Sequence, residues 1–432
     1  MKQPAPGPDV HLNLNVRGLP PSATLAINER SNALLAEGRQ VFKLGLGQSP
    51  FPVPEPVVES LRVHAHEKDY LAVQGLPALR DAVAAYHNRA DGLRRVGADV
   101  MIGPGSKELM FLLQLVYYGD LLVPTPAWVS YAPQAHIIGR PVLWLSTRAE
   151  DGWRLLPEAL EREIEADRAR PRLLILNYPS NPHGGTYTRA QLEALAAVCR
   201  EHKILVLSDE IYGELHFMGK HVSIARFYPE GTIISSGLSK WCGAGGWRLG
   251  TFTFPSGLRW LLSAMAAVAS ETYTSTSAPI QHAAVRAFEG GTEIERYLWA
   301  SRRILGALAK HIHAKLVAAG AKVERPRGGF YVFPDFEPMR AGLAERGITD
   351  ARQLCDRLLE ETGVAILPGT WFGRPGSELT ARIAFVNFDG ARALAAAEHV
   401  VRQAEIDEAF LHQWCWPTVA AIDALCAWLP KR

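Results

Sequence analysis

Three unbroken apolar runs mark the middle of the chain. Leu173-Leu174-Ile175-Leu176 lies within Arg172–Asn177, Ile204-Leu205-Val206-Leu207 within residues 203–208, and Ile233-Ile234 within residues 232–236. Short runs that are apolar at successive rather than alternate positions predict strands buried on both faces, the pattern of a parallel sheet. Between the first two, Arg189–Glu201 places Leu192, Leu195, Ala196 and Cys199 on one face at helical spacing. Alternation of strand and helix implies a doubly wound α/β sheet. In such sheets ligands bind beyond the carboxyl ends of the strands.

The remaining pattern extends this layout. Residues 1–15 are polar and proline-rich and read as a loose arm. A helix begins over residues 21–29 with Ser22 as its cap. Residues 41–46 read as a short strand that Gly45, Gly47 and the prolines from Pro50 to Pro56 break into a loop. Helices are expected over residues 78–89, 109–118, 258–269 and 294–318, and strands over 121–124, 248–254, 328–333 and 381–385. Residues 391–410 suit one closing helix, and Trp414, Trp416, Leu425 and Trp428 suggest an extra apolar segment packed on the body or on a partner.

Composition narrows the functional classes. The chain has 432 residues, is 48 % apolar and 21 % charged, and carries a net charge of +2. This is ordinary globular composition with ample material for a core, and the length suggests about two or three domains. No block of like charge asks for nucleic acid or an anionic membrane, and no apolar run approaches the ~20 residues of a membrane span. The cysteines Cys199, Cys242, Cys355, Cys415 and Cys426 lack metal-type spacing. Their odd number points to reduced thiols and a cytoplasmic setting, and no metal is expected.

The candidate chemistry follows the three apolar runs. Asn177-Tyr178-Pro179-Ser180-Asn181 comes after the first, Asp209-Glu210-Ile211-Tyr212 after the second, and Ser239-Lys240 after the third. All three groups therefore fall on one edge of the sheet. A lysine on a loop after a buried strand can be desolvated, which lowers its pKa and frees its amine for attack. Arg248, in the glycine-rich turn that follows, is a permanent cation whose planar fork suits a phosphate. Gly103-Pro104-Gly105-Ser106-Lys107 feeds a helix N-terminus, a second place where free N–H groups receive an anion. A reactive amine beside phosphate holders is what a pyridoxal 5'-phosphate site needs.

Ser239-Lys240 followed by Gly246-Trp247-Arg248-Leu249-Gly250, with Asn181-Pro182-His183-Gly184 and Asp209-Glu210-Ile211-Tyr212, resembles the signatures of the class I/II aminotransferases, the fold-type-I pyridoxal-phosphate enzymes related to aspartate aminotransferase. The resemblance runs from about Pro21 to about His399, with His183 standing where threonine is usual. It implies an α/β fold with a mainly parallel seven-stranded sheet in a large domain and a smaller α/β domain. The expected division is residues 1–50 for the arm and part of the small domain, 51–300 for the large cofactor domain, and 301–432 for the small domain with the extra C-terminal segment.

The resemblance also implies roles. Lys240 carries the cofactor as a Schiff base and then serves as general base and acid. Asp209 meets the ring nitrogen, Asn181 and Tyr212 the ring oxygen, and Trp128 stacks on the ring. Gly105, Ser106, Lys107, Ser239 and Arg248 hold the phosphate, and Tyr70 reaches it from the second subunit of a homodimer. Gly47 and Asn181 border the substrate, and Arg382 takes its α-carboxylate. The reaction implied is transfer of an amino group from an L-amino acid to a 2-oxo acid.

Without the resemblance several of these residues read more plainly. Tyr70 is then a core or interface aromatic, Trp128 a core tryptophan, Asp209 a helix cap, Arg382 half of a structural salt bridge, and the loop at Gly47 a turn. Lys107-bearing Gly105-Ser106-Lys107, Trp128-Val129-Ser130-Tyr131 and Pro21-Ser22-Ala23-Thr24 resemble the bacterial aspartate/prephenate subgroup, where a lysine can meet a second substrate carboxylate; Lys107 reads equally as a solvated first-turn lysine. A lyase or oxidase acting on an amino acid uses the same scaffold. A non-enzymatic regulator on it carries an added DNA-binding domain, for which the first 20 residues are too few.

Overall fold

The computed structural model describes residues 11–165, 167, 170–401 and 404–430. Of the arm expected over residues 1–15, residues 1–10 lie outside these. The central element is a seven-stranded sheet, whose strands are here β1 (Val100–Gly103), β2 (Asp120–Thr125), β3 (Val142–Ser146), β4 (Arg172–Asn177), β5 (Leu205–Asp209), β6 (Thr232–Gly237) and β7 (Gly250–Thr253). Their spatial order is β1-β7-β6-β5-β4-β2-β3. β2 to β6 pair in parallel, and β7 lies antiparallel between β1 and β6.

The three apolar runs form β4, β5 and β6, which occupy the middle of the sheet, and every residue of β5 and β6 is buried. Apolar helical faces cover the sheet on both sides. Leu109, Met110, Leu112 and Leu113 of the helix Ser106–Val116 pack with Leu173, Ile175, Leu205 and Leu207. Leu192, Leu195, Ala196 and Cys199 of Arg189–Glu201 pack with Leu174, Leu176, Ile204 and Val206 on the other side. Successive strand residues thus feed opposite cores, which explains why the pattern shows no alternation.

A three-stranded antiparallel sheet orders Leu367–Pro368, Ala381–Ala384 and Tyr331–Val332, and Phe42–Lys43 pairs in parallel with Val364–Ala365. The long helix Thr292–Ala318 buries Leu298, Ile304, Leu305, Leu308 and Ile312 in the core that these elements share.

Several expected boundaries move. The strand expected over 41–46 pairs only over Phe42–Lys43, because Leu44 onward turns into the glycine loop. The helix expected from 109 begins at Ser106, immediately after the left-handed Gly105. Arg248 is not in a strand; it has a left-handed backbone, and β7 begins at Gly250. Ser22 does occupy the cap position, but its hydroxyl contacts that of Thr24 rather than a backbone N–H.

The single closing helix expected over 391–410 is instead two helices, Gly390–Glu398 and Glu408–Trp414, each capped by an aspartate, Asp389 and Asp407. These Asp caps, which satisfy free amide donors, are the local start signals that the 391–410 expectation passed over. Trp416–Trp428 then follows, and Phe410, Leu411, Val419, Ile422 and Leu425 join the core beside the long helix. The extra segment is therefore packed on its own chain. Ile422→Ala is expected to lower the unfolding free energy by about 2–5 kcal/mol, read by urea titration at unchanged kcat. A loss below ~0.5 kcal/mol would show that this segment contributes no core.

Candidate active site

Strand register brings the chemistry to one level. Asn177 pairs with Asp209 and Asp209 with Ser235 across β4, β5 and β6, and Gly237, Gly250 and Gly103 pair across β6, β7 and β1. Asn181, Tyr212, Ser239 and Lys240 follow the carboxyl ends of the parallel strands, and Gly105 follows β1. Because β7 is antiparallel, its start also lies at this edge, which brings Arg248 to the same end.

Lys240 donates its amine to the Gly47 carbonyl at 2.7 Å. Burial, then the charges of Arg382 and Arg248, lower its pKa to about 8, while Asp209 acts in the opposite sense. The amine is thus enclosed by cations that disfavour its own protonation.

Arg248 donates to the carbonyls of Gly245 at 2.9 Å and Pro104 at 3.4 Å, and remains exposed. It faces the start of Ser106–Val116. A Cβ at Gly105, which has φ +95°, would collide with its guanidinium, and a Cβ at Gly250 would collide with the Ser106 amide. Two glycines therefore keep a backbone cradle open between a helix N-terminus and an arginine, which suits a phosphate.

Asp209 is buried, and burial raises its pKa to about 6 against hydrogen bonds that lower it. Tyr131 donates to Oδ2 at 2.5 Å. The Asn177 amide donates to the Asp209 carbonyl at 2.9 Å, and its oxygen accepts the Asn181 N–H at 2.7 Å, which ties the β4 and β5 loops together. The Tyr212 hydroxyl lies 3.0 Å from that of Tyr331.

Arg382 is 1 % exposed. It donates to the Asn181 side-chain oxygen at 3.1 Å and to the Gly45 carbonyl, and lies over the rings of Tyr331 at 4.7 Å and Phe372 at 5.0 Å. Its Nε has no partner. The structural salt bridge that the residue alone suggests is not among the ion pairs of the described residues. A buried guanidinium without a carboxylate is costly unless an anion completes it.

Trp128 meets Tyr131 edge-on, with ring centres 5.3 Å apart. Lys107 is an exposed residue whose amine lies 5.1 Å from the Trp128 ring centre, and partial burial and then Arg248 lower its pKa. Tyr70 is 90 % exposed on the single chain. His183 is buried and accepts the Gly185 N–H at 3.1 Å; burial and Arg154 lower its pKa to about 3, so it is neutral.

Two neighbouring residues escaped the sequence reading. Tyr131 stands three positions after Trp128, and Tyr331 lies in the Gly328-Gly329-Phe330-Tyr331 run. Tyr131 belongs to the Trp128-Val129-Ser130-Tyr131 motif and Tyr331 to the strand expected over 328–333, yet only packing shows that Tyr131 meets Asp209 and that Tyr331 lies between Tyr212 and Arg382. The Gly47 position has a related reason: a Cβ there would collide with the Tyr331 hydroxyl. Among the described residues no group of three or more His, Cys, Asp or Glu side chains is arranged to hold a metal, and no helix is long and apolar enough to cross a membrane.

Comparison with known proteins gives the family. The family described as "Aminotransferase class I and II" matches residues 39–399. The aspartate aminotransferase of Geobacillus stearothermophilus is 35 % identical over 371 residues, 83 % of this chain and 91 % of its own. The aspartate/prephenate aminotransferase of Thermus thermophilus is 32 % identical over 84 % of this chain and 92 % of its own. The structure of the Thermus thermophilus aspartate aminotransferase with maleate superimposes with a TM-score of 0.80 at 31 % identity, covering 90 % of this chain and 98 % of that one.

Proposed function

The chain belongs to the class I and II aminotransferases, and on that premise we propose the residues that run its reaction and the class of substrate it takes. It is a pyridoxal 5'-phosphate-dependent aminotransferase of fold type I, moving an amino group from an amino acid to a 2-oxo acid. The open cradle at Gly105 and Gly250 and the enclosed amine of Lys240 fit that cofactor. When bound, it supplies an aldehyde for the amine and a ring that withdraws electrons from the substrate Cα.

Arg248, the amides at Ser106 and Lys107, and the Ser239 hydroxyl hold the phosphate. Asp209 holds the proton of the ring nitrogen, Asn181 and Tyr212 bind the ring oxygen, and Trp128 covers one face against water. Arg382 grips the substrate α-carboxylate with its planar fork, with Asn181 and Gly47 beside it. Lys240 removes the proton from the substrate Cα as base and redelivers it as acid. Tyr70, exposed on the single chain, completes the phosphate site of a second copy, so the working unit is a homodimer. The seven-stranded sheet supports assignment of residues 51–300 to a large domain, with 1–50 giving an arm and part of the small domain and 301–432 the rest of the small domain with the extra C-terminal segment. The thiol cysteines support a cytoplasmic setting.

The substrate class proposed is an acidic amino acid, aspartate or glutamate, with 2-oxoglutarate as acceptor. The observation that carries it is the surplus of positive charge. The hydrogen bonds of Lys240, Arg248 and Arg382 go to carbonyl or amide oxygens, and Lys107 points its amine over Trp128. Asp209 is the negative charge acting on Lys240. Once a phosphate occupies Arg248 and an α-carboxylate occupies Arg382, Lys107 remains for a second carboxylate. The related Thermus thermophilus enzyme was solved with maleate, a dicarboxylate. Lys107→Ala is therefore expected to cut the preference for aspartate over alanine, as a ratio of kcat/KM, by about tenfold. An unchanged ratio would remove Lys107 from substrate recognition.

A further inference from the structure

The Asp209 carboxylate is held asymmetrically. Oδ2 accepts the Tyr131 hydroxyl at 2.5 Å, with both residues buried. Oδ1 has only long contacts, with the Ser235 hydroxyl and the Ile211 N–H, each at 3.4 Å. One oxygen is thus engaged by a short, charge-assisted bond, and the other keeps acceptor capacity.

Tyr131 is itself fixed. Burial and then Asp209 push its pKa well up, so its proton stays on the phenol. Trp128 meets its ring edge-on, 5.3 Å away. Tyr131 opens the helix Tyr131–Ile137, whose Gln134 donates to the Lys107 carbonyl at 2.7 Å and accepts from Gln114 at 3.0 Å. A single segment thereby connects Asp209, the Trp128 face and the helix at the phosphate cradle.

We propose that Tyr131 is a positioning residue of this site: its hydroxyl pins Oδ2 of Asp209 so that Oδ1 is presented to the protonated nitrogen of the cofactor ring. The inference rests on the role given above to Asp209. The same bond keeps the carboxylate ionised, because a donor to the charged form lowers its proton affinity. It opposes the burial that raises the Asp209 pKa to about 6.

The test is a titration of apoprotein with pyridoxal 5'-phosphate across a series of pH values, for wild type, Tyr131→Phe, Asp209→Asn and the double variant. Tyr131→Phe is expected to raise the dissociation constant about tenfold at neutral pH. It should also move the acid limb of the binding profile upward by about one pH unit, because Asp209 then takes a proton more readily. In the Asp209→Asn background the same change should add less than about twofold. A wild-type dissociation constant and acid limb in Tyr131→Phe overturn the proposal, as do equal losses in both backgrounds.

Should Tyr131→Phe fail to fold, a ring-fluorinated tyrosine at the same position keeps the shape and makes the phenol a stronger donor. The acid limb then moves downward, and an unmoved limb overturns the proposal. A wild-type protein that binds no cofactor in this titration defeats the underlying reading of the site instead, so the two failures are told apart.

Discussion

Lys240→Ala is expected to abolish transamination, lowering kcat by at least about a thousandfold. The lysine contributes both a nucleophilic amine and the base that takes the Cα proton, whereas the Lys107 amine lies over the Trp128 ring. Its pKa of about 8 sets the pH response. The uncharged amine is the nucleophile, so its fraction rises as pH climbs through about 8. Capture of the aldehyde by apoprotein should accelerate over that window and level off above it. Lys240→Arg keeps a cation but supplies no usable base at neutral pH, so it should be as inactive as the alanine variant. Residual turnover within tenfold of wild type in either protein would place the chemistry elsewhere.

The second large effect belongs to Arg382. Arg382→Ala is expected to lower kcat/KM for amino acids by about 10²–10³, the range found when one member of a buried charged pair is removed. Most of this should enter through KM, since the arginine binds a carboxylate that is present before and during reaction. Arg382→Lys should recover little, because a lysine cannot reproduce the planar fork held by Asn181, Gly45 and the rings of Tyr331 and Phe372. The control is an amine substrate without an α-carboxylate. If the variant loses as much activity on that amine as on aspartate, Arg382 acts through the packing of the site and not through carboxylate recognition.

Much of this site is legible in the sequence because a parallel sheet turns chain order into spatial order. Apolar runs identify β4, β5 and β6, and whatever follows each run shares one edge; that places Asn181, Asp209 and Lys240 together before any coordinates are known. Arg248 is harder. Only the antiparallel insertion of β7 between β1 and β6 brings the glycine-rich turn back to that edge, and no local pattern announces it.

β1 and β3 are the other case. Val100–Gly103 is short and runs straight into the Gly103-Pro104-Gly105 turn, while Val142-Leu143-Trp144-Leu145 is an apolar run as long as that of β4 but lies at the sheet edge, only partly buried, with no candidate chemistry after it to draw attention. Tyr131 and Tyr331 stayed unassigned because their contacts to Asp209, Tyr212 and Arg382 span 78, 119 and about 50 positions of sequence. A local pattern carries no record of such pairings. The 391–410 stretch differs for another reason: an alanine-rich run after Gly390 reads as continuous helix, while the Asp407 cap that starts a new helix is a single residue.

The most direct measurement is the visible absorption of the purified, cofactor-loaded protein during each half of the reaction. A band at the violet edge of the visible should fade on addition of L-aspartate or L-glutamate and return on addition of 2-oxoglutarate, while Lys240→Ala shows no such cycle. A band that fades only with neutral amino acids would leave transamination at Lys240 standing and contradict the acidic substrate class. Failure of wild-type protein to form the band with pyridoxal 5'-phosphate, or a full cycle in Lys240→Ala, would contradict the assignment of the chemistry to Lys240.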